Sequence, residues 1–587
     1  MQIIVISAFL FLHPSELKMS TFTEDSRLEA KDTDLIVADL TSSDYIDPTT
    51  LAIAVEKGDI QMLKSLIAAK ASVDAVNNQG QSPIWVAADE GNVEAVELLL
   101  NAGANVDMPD AEGDTPSIMA IMRGHVDILK KLISYNASVT TVNSEGKSLL
   151  WIAAFTGCVP GIELLVQSGT PLELCDNNGD TATSAAAQCG HVETLKTLIT
   201  AKANVDTTNR KDQSPLYFAS LRGHSAAVDI LIAAGAPLDQ RDSTGMTPLC
   251  CAAWCGHSAV AEKLISAKAA MGAVNAQGYS PLWLAARYGH ADAAAVLLQA
   301  GALAAESDGG ARAVAAAVVM RHVAVLERLL AAKASIDIGT KDGQSLLSFA
   351  AMGGNAVIVA LLLAARAPID ERDENGDSAL IWATAKNHGE VVQVLLDANA
   401  DVNLVNVDGQ TALCRASMMG HSAIVDSLLQ AGAQLEIGDC NGITALAHAA
   451  FRNRAEVMKQ LLAAKASIDS TNNYGQSALA RAVIGGGVAA VRVLLDAGAM
   501  LETQDLNGNT ALSSASFEAR SAELKELIAA KANVDVVNKD GQSPIWLACL
   551  RGYLPVIEVL LNARVDLAVA DHDGNTPACV AAQQGRA

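Results

Sequence analysis

Cys250, Cys251, Cys255 and His257 bring three thiols and an imidazole into one short stretch, a soft donor set of the kind that holds zinc. Helical geometry argues against it. Neighbouring helical residues point about 100° apart, so Cys250 and Cys251 do not converge on one ion. The chain's ten cysteines contain no CxxC pair and are too few for a disulfide framework; they read as free thiols in a reducing compartment. His125, His191, His224, His257, His290, His322, His388 and His421 form a second candidate set. Each opens the same kind of segment, so a structural duty explains them and no metal is expected. Asp89-Glu90 is a carboxylate pair, but acid–base work needs an enclosed site that shifts such groups. No nucleophile elbow, P-loop, HExxH, kinase or dinucleotide signature occurs. The expectation is a protein with no catalytic residues and no cofactor.

The histidines belong to a larger pattern. Glycine stands at 80, 113, 146, 179, 245 and 278, with Asp212 in the missing place, then at 310, 343, 376, 409, 442, 475, 508, 541 and 574. The step is 33 residues except for 32 between Gly278 and Gly310. A fixed period of this size marks a repeat array whose units must stack to bury a core. Half the residues are hydrophobic but only 4% are aromatic, so the core is built from Ala, Leu, Val and Ile. The net charge of −24 disfavours nucleic acid and anionic membrane, which want clustered Lys and Arg. Ile3 to Leu12 is apolar but too short to span a bilayer. Residues 1–18 read as an over-extended start before Met19, with a signal peptide and secretion as the alternative to a cytoplasmic protein. Residues 1–43 are taken as a disordered or artefactual extension, and 44–587 as the array of about 17 units. Its last unit is incomplete.

Each unit has a local logic. Asn or Asp at the first place of a turn and Gly at the fourth, as in NNQG, is type I turn chemistry. Ser82 or Thr115 then serves as N-cap with Pro83 or Pro116 at the first helical position. A short apolar helix ends at Gly91 through positive φ, and Asn92, or His elsewhere, opens a second helix with apolar residues at helical spacing. The predicted unit is hairpin, helix, turn, helix, loop. This resembles the ankyrin repeat, on SPIWVAADEGNVEAVELLLNAGANVD (82–107), TPLCCAAWCGHSAVAEKLI (247–265) and SPLWLAARYGHADAAAVLLQAGA (280–302). The resemblance implies an all-α repeat solenoid that binds proteins.

One departure is systematic. The family's His after Thr-Pro-Leu, which ties neighbouring units, is absent. Trp85, Trp151, Tyr217 and Trp283 stand there instead, 66 residues apart, and alternate with Ile118, Ser184 and Cys250; Trp546 rejoins the series. They read as packing substitutes. After the second helix, Gly103, Gly169, Gly235 and Gly301 alternate with Asn136, Lys202, Lys268, Lys333, Asn399, Lys465 and Lys531. A 66-residue pair of unlike units is therefore the duplicated element. Residues 306–322 are irregular: Arg312-Ala313 replaces Thr-Pro, and Arg321 replaces the inter-helix Gly.

The resemblance also implies where a partner sits: at the hairpin tips and the two residues before the inter-helix glycine, on the concave face. Here those residues include Met122, Phe155, Leu221, Trp254, Tyr288, Met320, Met352, Met418, Met419, Phe451, Phe517 and Leu550. Arg222, Arg287, Arg452 and Arg551 lie among them. A helix end that faces only water is polar; apolar and aromatic residues with Arg have the composition of a protein interface. The expected function is a non-enzymatic scaffold or adaptor that binds a protein or peptide along this face. The alternative is the repeat portion of a larger protein, such as a channel, kinase or ubiquitin-ligase adaptor.

Overall fold

Ser82 sits in extended backbone, and its hydroxyl accepts from the Trp85 amide at 3.3 Å, with Pro83 next in line. Thr115, Ser148, Ser280 and Thr411 repeat that cap. Each cap contributes about 1 kcal/mol to a helix too short to persist alone. In the computed structural model, which describes residues 49–339 and 343–585, these caps start helices of seven or eight residues such as Pro83–Asp89 and Pro281–Tyr288. A nine-residue helix follows each, as in Val93–Asn101 and Ala291–Gln299. The described residues hold 34 helices, and the readings made for residues 1–43 lie outside them.

The helices fall into two compact units, residues 49–185 with 196–203 and residues 186–195 with 204–585. Each is an all-α repeat solenoid. In both, the first helices are alanine-rich and fully buried at Ala87, Ala120, Ala153, Ala252 and Ala285. The second helices supply Leu99, Leu132, Leu264 and Leu297, also without exposure. Small side chains let successive first helices approach closely, which accounts for a core nearly without aromatics.

The expected hairpin forms as a tight loop. Among the described residues there is no strand; pairing is limited to three isolated antiparallel bridges, such as Val142 with Ser148. Gly80 N–H donates to the Asn77 carbonyl at 2.9 Å and Asn77 N–H to that of Gln81 at 3.0 Å. The Asn77 side-chain oxygen accepts from the Gln79 and Gln81 amides. Arms this short close a turn but cannot extend a ladder.

Two further bonds recur between units. At the loop tips, the Ala276, Val407, Cys440, Asn473 and Leu506 amides each donate to the preceding tip's carbonyl at 2.8–2.9 Å. Beyond the second helices, Asp107 accepts from the Ser138 amide, Asp239 from Ala270, Asp469 from Met500 and Asp535 from Asp566. These aspartates thus have a structural use.

The left-handed positions are as the alternation predicts. Gly103 and Gly235 have φ of 87° and 85°, while Lys202, Lys268, Lys465 and Asn399 take 69°, 74°, 70° and 62°. Arg366 and Arg564 also adopt it, at 65° and 61°. The irregular unit differs in kind. An added turn, Ala302–Ala305, precedes helix Ala311–Met320, which starts from Gly310 without a side-chain cap. Arg312 supplies the missing tie: it pairs with Asp308 at 2.8 Å and donates to the Gly278 carbonyl at 3.2 Å.

Candidate protein-interaction surface

Cys250 and Cys251 occupy the core, and the recurring imidazoles occupy the junctions. Cys250 and Cys251 are buried among Tyr217, Phe218 and Leu284, and burial pushes both thiols up from their ordinary range. The His257 ring meets the Leu221 carbonyl at 3.1 Å, one unit upstream. His224, His290, His322 and His388 do the same with Gln188, Trp254, Arg287 and Met352 at 2.9–3.2 Å. Each ring takes a carbonyl left open at the end of the preceding first helix. It also lies against the inter-helix glycine: a Cβ on Gly223 would come within 2.7 Å of His257. That glycine therefore answers to positive φ and to the next unit's histidine. Arg454 and Arg520 replace His in two units and reach the Met418 and Ile484 carbonyls at 3.4 and 2.9 Å. Among the described residues no three His, Cys, Asp or Glu side chains converge as a metal site.

Of the aromatics after the N-caps, Trp85, Trp151, Tyr217 and Trp546 are buried, as expected, whereas Trp283 is half-buried and stacks on Tyr279 with centroids 3.7 Å apart. Trp85 and Trp546 also tie units, their indole N–H groups donating to the Asp114 and Asn575 carbonyls at 2.9 and 3.1 Å.

The residues before the inter-helix turn lie at the ends of the first helices. In the first compact unit Met122 and Phe155 are exposed; Phe155 stacks on Trp151 with centroids 5.1 Å apart. Arg123 beside Met122 is paired with Asp89 at 2.7 Å. In the second unit Tyr288, Met320, Met419 and Phe517 are exposed, Tyr288 by half its surface. Leu221, Trp254, Arg287, Met352, Met418, Phe451 and Leu550 are half-buried, and Arg222, Arg452 and Arg551 reach solvent. Trp254 meets Tyr288 edge to face at 6.0 Å. Arg551 lies over the Phe517 ring at 4.6 Å, joining successive repeats. These stackings hold apolar side chains in place at the surface, and the histidine and arginine ties fix the backbone beneath several of them.

Sequence reasoning missed a row one helical turn upstream. The position four residues past the N-cap is apolar in most units, as at Val86, Met119, Phe218, Leu284 and Leu547, but is Trp382, Arg415, His448 and Arg481 in four consecutive ones. Trp382 donates to Asp373 at 2.9 Å, Arg415 lies 3.7 Å from Asp377, and His448 meets Asp439 at 3.0 Å. Arg481 lies over Phe451 at 4.3 Å. Burial lowers the His448 pKa against the pull of Asp439, and Arg481 and Arg452 lower it further. Comparing the units column by column would have exposed this row; reading only the turn positions did not.

Among curated proteins no match to the chain was found. The family model for ankyrin repeats (3 copies) matches residues 51–143, 138–209, 186–272, 260–342, 313–406, 398–472, 449–524 and 517–587. These matches overlap end to end, over the same segments whose capped helices, turn glycines and interlocking carbonyl ties recur. The chain belongs to the ankyrin-repeat family, whose repeats are protein–protein interaction modules.

Proposed function

We propose that this chain is a non-enzymatic scaffold or adaptor that holds a protein or an extended peptide against its first-helix face. The observation that carries this reading is the exposure of Phe155, Tyr288, Met419 and Phe517 at helix ends, several of them held by stacking. An exposed aromatic that is already ordered loses little entropy on binding, which is what favours such side chains as anchors. The acidic balance of −24 weighs against nucleic acid as the partner. Among the described residues no helix is long and apolar enough to cross a membrane. The ten free cysteines fit a reducing compartment, so a cytoplasmic location is part of the proposal.

The test is affinity capture with the full chain and with the triple variant Phe155→Ser, Trp254→Ser, Phe451→Ser. Proteins retained by the wild type are expected to be lost from the variant while its helical circular dichroism is unchanged. An identical capture profile for the two would refute the surface as the binding face.

A further inference from the structure

Arg415, His448 and Arg481 put three side chains that are cationic, or can become so, at one position of three consecutive units, in a chain whose formal charge is −24. Arg415 and Arg481 are half-buried, and the Nε of each is buried without a hydrogen-bond partner. Arg415 has Asp377 at 3.7 Å, but Arg481 and the exposed Arg452 have no ion-pair partner within 4.0 Å among the described residues. Both guanidinium groups sit over Phe451 instead, at 4.3 and 5.6 Å. Asp439 acts electrostatically on Arg481, but His448 already engages it at 3.0 Å. The guanidinium groups of Arg481 and Arg452, half-buried and exposed and without an acidic partner, call for oxygen acceptors, and a carboxylate meets such donors in pairs. Beside them at the helix ends lie Met418 and Met419, on the helix that carries Arg415, and Phe451, on the next first helix, where His448 stands in the row between Arg415 and Arg481.

From this charge complementarity we propose that these four repeats bind an extended acidic peptide segment of a partner protein. Its two carboxylates would be about six residues apart, flanking one apolar side chain. The spacing follows from the fold. Stacked helices lie roughly 8–10 Å apart, so two units separate Arg415 from Arg481 by roughly 20 Å. An extended chain covers that in about six residues at about 3.3 Å each. One carboxylate meets Arg415, the other meets Arg481 and Arg452, and the apolar side chain seats on Met418, Met419 and Phe451. This rests on the first-helix face being a binding surface, and it adds which repeats and which chemistry.

The test is selection of peptides from a random display library on the full chain, followed by titration of the enriched peptides by fluorescence polarisation. Expected is enrichment of Asp or Glu at a spacing of six around a Leu, Met or aromatic residue. Affinity should fall at least about ten-fold when the peptide acids become Gln, and equally in Arg415→Gln/Arg481→Gln. Arg452→Gln, at an exposed site, should weaken binding in the same direction even if the double variant folds poorly. Arg492→Gln, an exposed ion-pair residue on a second helix, should bind as wild type. Peptides enriched without acidic bias, or unaffected by these substitutions, overturn this inference and leave the first-helix face as a binding surface. Enrichment of no peptide on any repeat overturns both. Self-association of the chain that Arg415→Gln/Arg481→Gln reverses would make a second copy the occupant and also overturns the peptide.

Discussion

At the scale of single residues, the chain places lysine where backbone sterics favour glycine. Lys268 and Lys465 stand at φ of 74° and 70° after their second helices, a conformation that costs an L-residue roughly 1 kcal/mol relative to Gly. Lys465→Gly is expected to stabilise helix Ala455–Ala463 by up to about 1 kcal/mol, read as slower amide exchange there; faster exchange would contradict it. This strain was legible from the 66-residue alternation. The second role of the inter-helix glycine was not. Gly223 could be read as a helix terminator from sequence, but its closeness to His257 depends on which ring lies across the junction, which periodicity alone does not give. The same limit hid Arg454 and Arg520, because a guanidinium and an imidazole share no sequence signature yet both reach the upstream carbonyl.

At the scale of elements, caps and turns were readable because their chemistry is local. Ser or Thr followed by Pro, and Gly four places into a turn, act within a few residues of themselves. The loop between units closes as a short hairpin, but turn chemistry does not tell how many residues each arm can pair, and among the described residues pairing stops at isolated bridges. The row from Trp382 to Arg481 escaped because its meaning lies between elements: Trp382, Arg415 and His448 address an acid on their own or the preceding loop, and Arg481 lies over the ring of the preceding unit's Phe451. These junctions carry a pH dependence. His257, His421 and His448 are held below their ordinary value of 6.5, in each case chiefly by burial. The folded chain therefore keeps them neutral where the unfolded chain takes up protons. The stability linked to them is complete above about pH 6.5 and is lost as the pH falls below it toward the depressed folded values. Urea midpoints should fall from pH 7.5 to 5.5, and His448→Gln should flatten part of that fall; a slope unaltered in the variant would exclude His448 from it.

At the scale of the molecule, stability need not be uniform along a stack of nearest-neighbour contacts. Helix Ala311–Met320 begins without a side-chain cap, and Arg312 replaces the regular tie to the preceding unit. Its amides are expected to exchange faster than those of helix Ala412–Met419, whose Thr411 cap is regular; equal protection would argue that Arg312 fully compensates. The array itself was legible from a 33-residue glycine step, but the two compact units within it were not, because the period runs through their boundary without a change.

The bonds between tips, and those from an acid to the amide 31 residues on, are specified by position within a unit and not by position in the chain. Asp408 would meet Gly442 as it now meets Gly409, with the same turn on either side. An internal loss or gain of one whole period therefore re-forms these two kinds of bond at the new junction. The step of 32 at Gly310 illustrates the contrary case, where a single missing residue has Arg312 acting in place of the regular tie. Length in this protein is thus a quantity that genetic recombination can change in whole steps while these ties are kept.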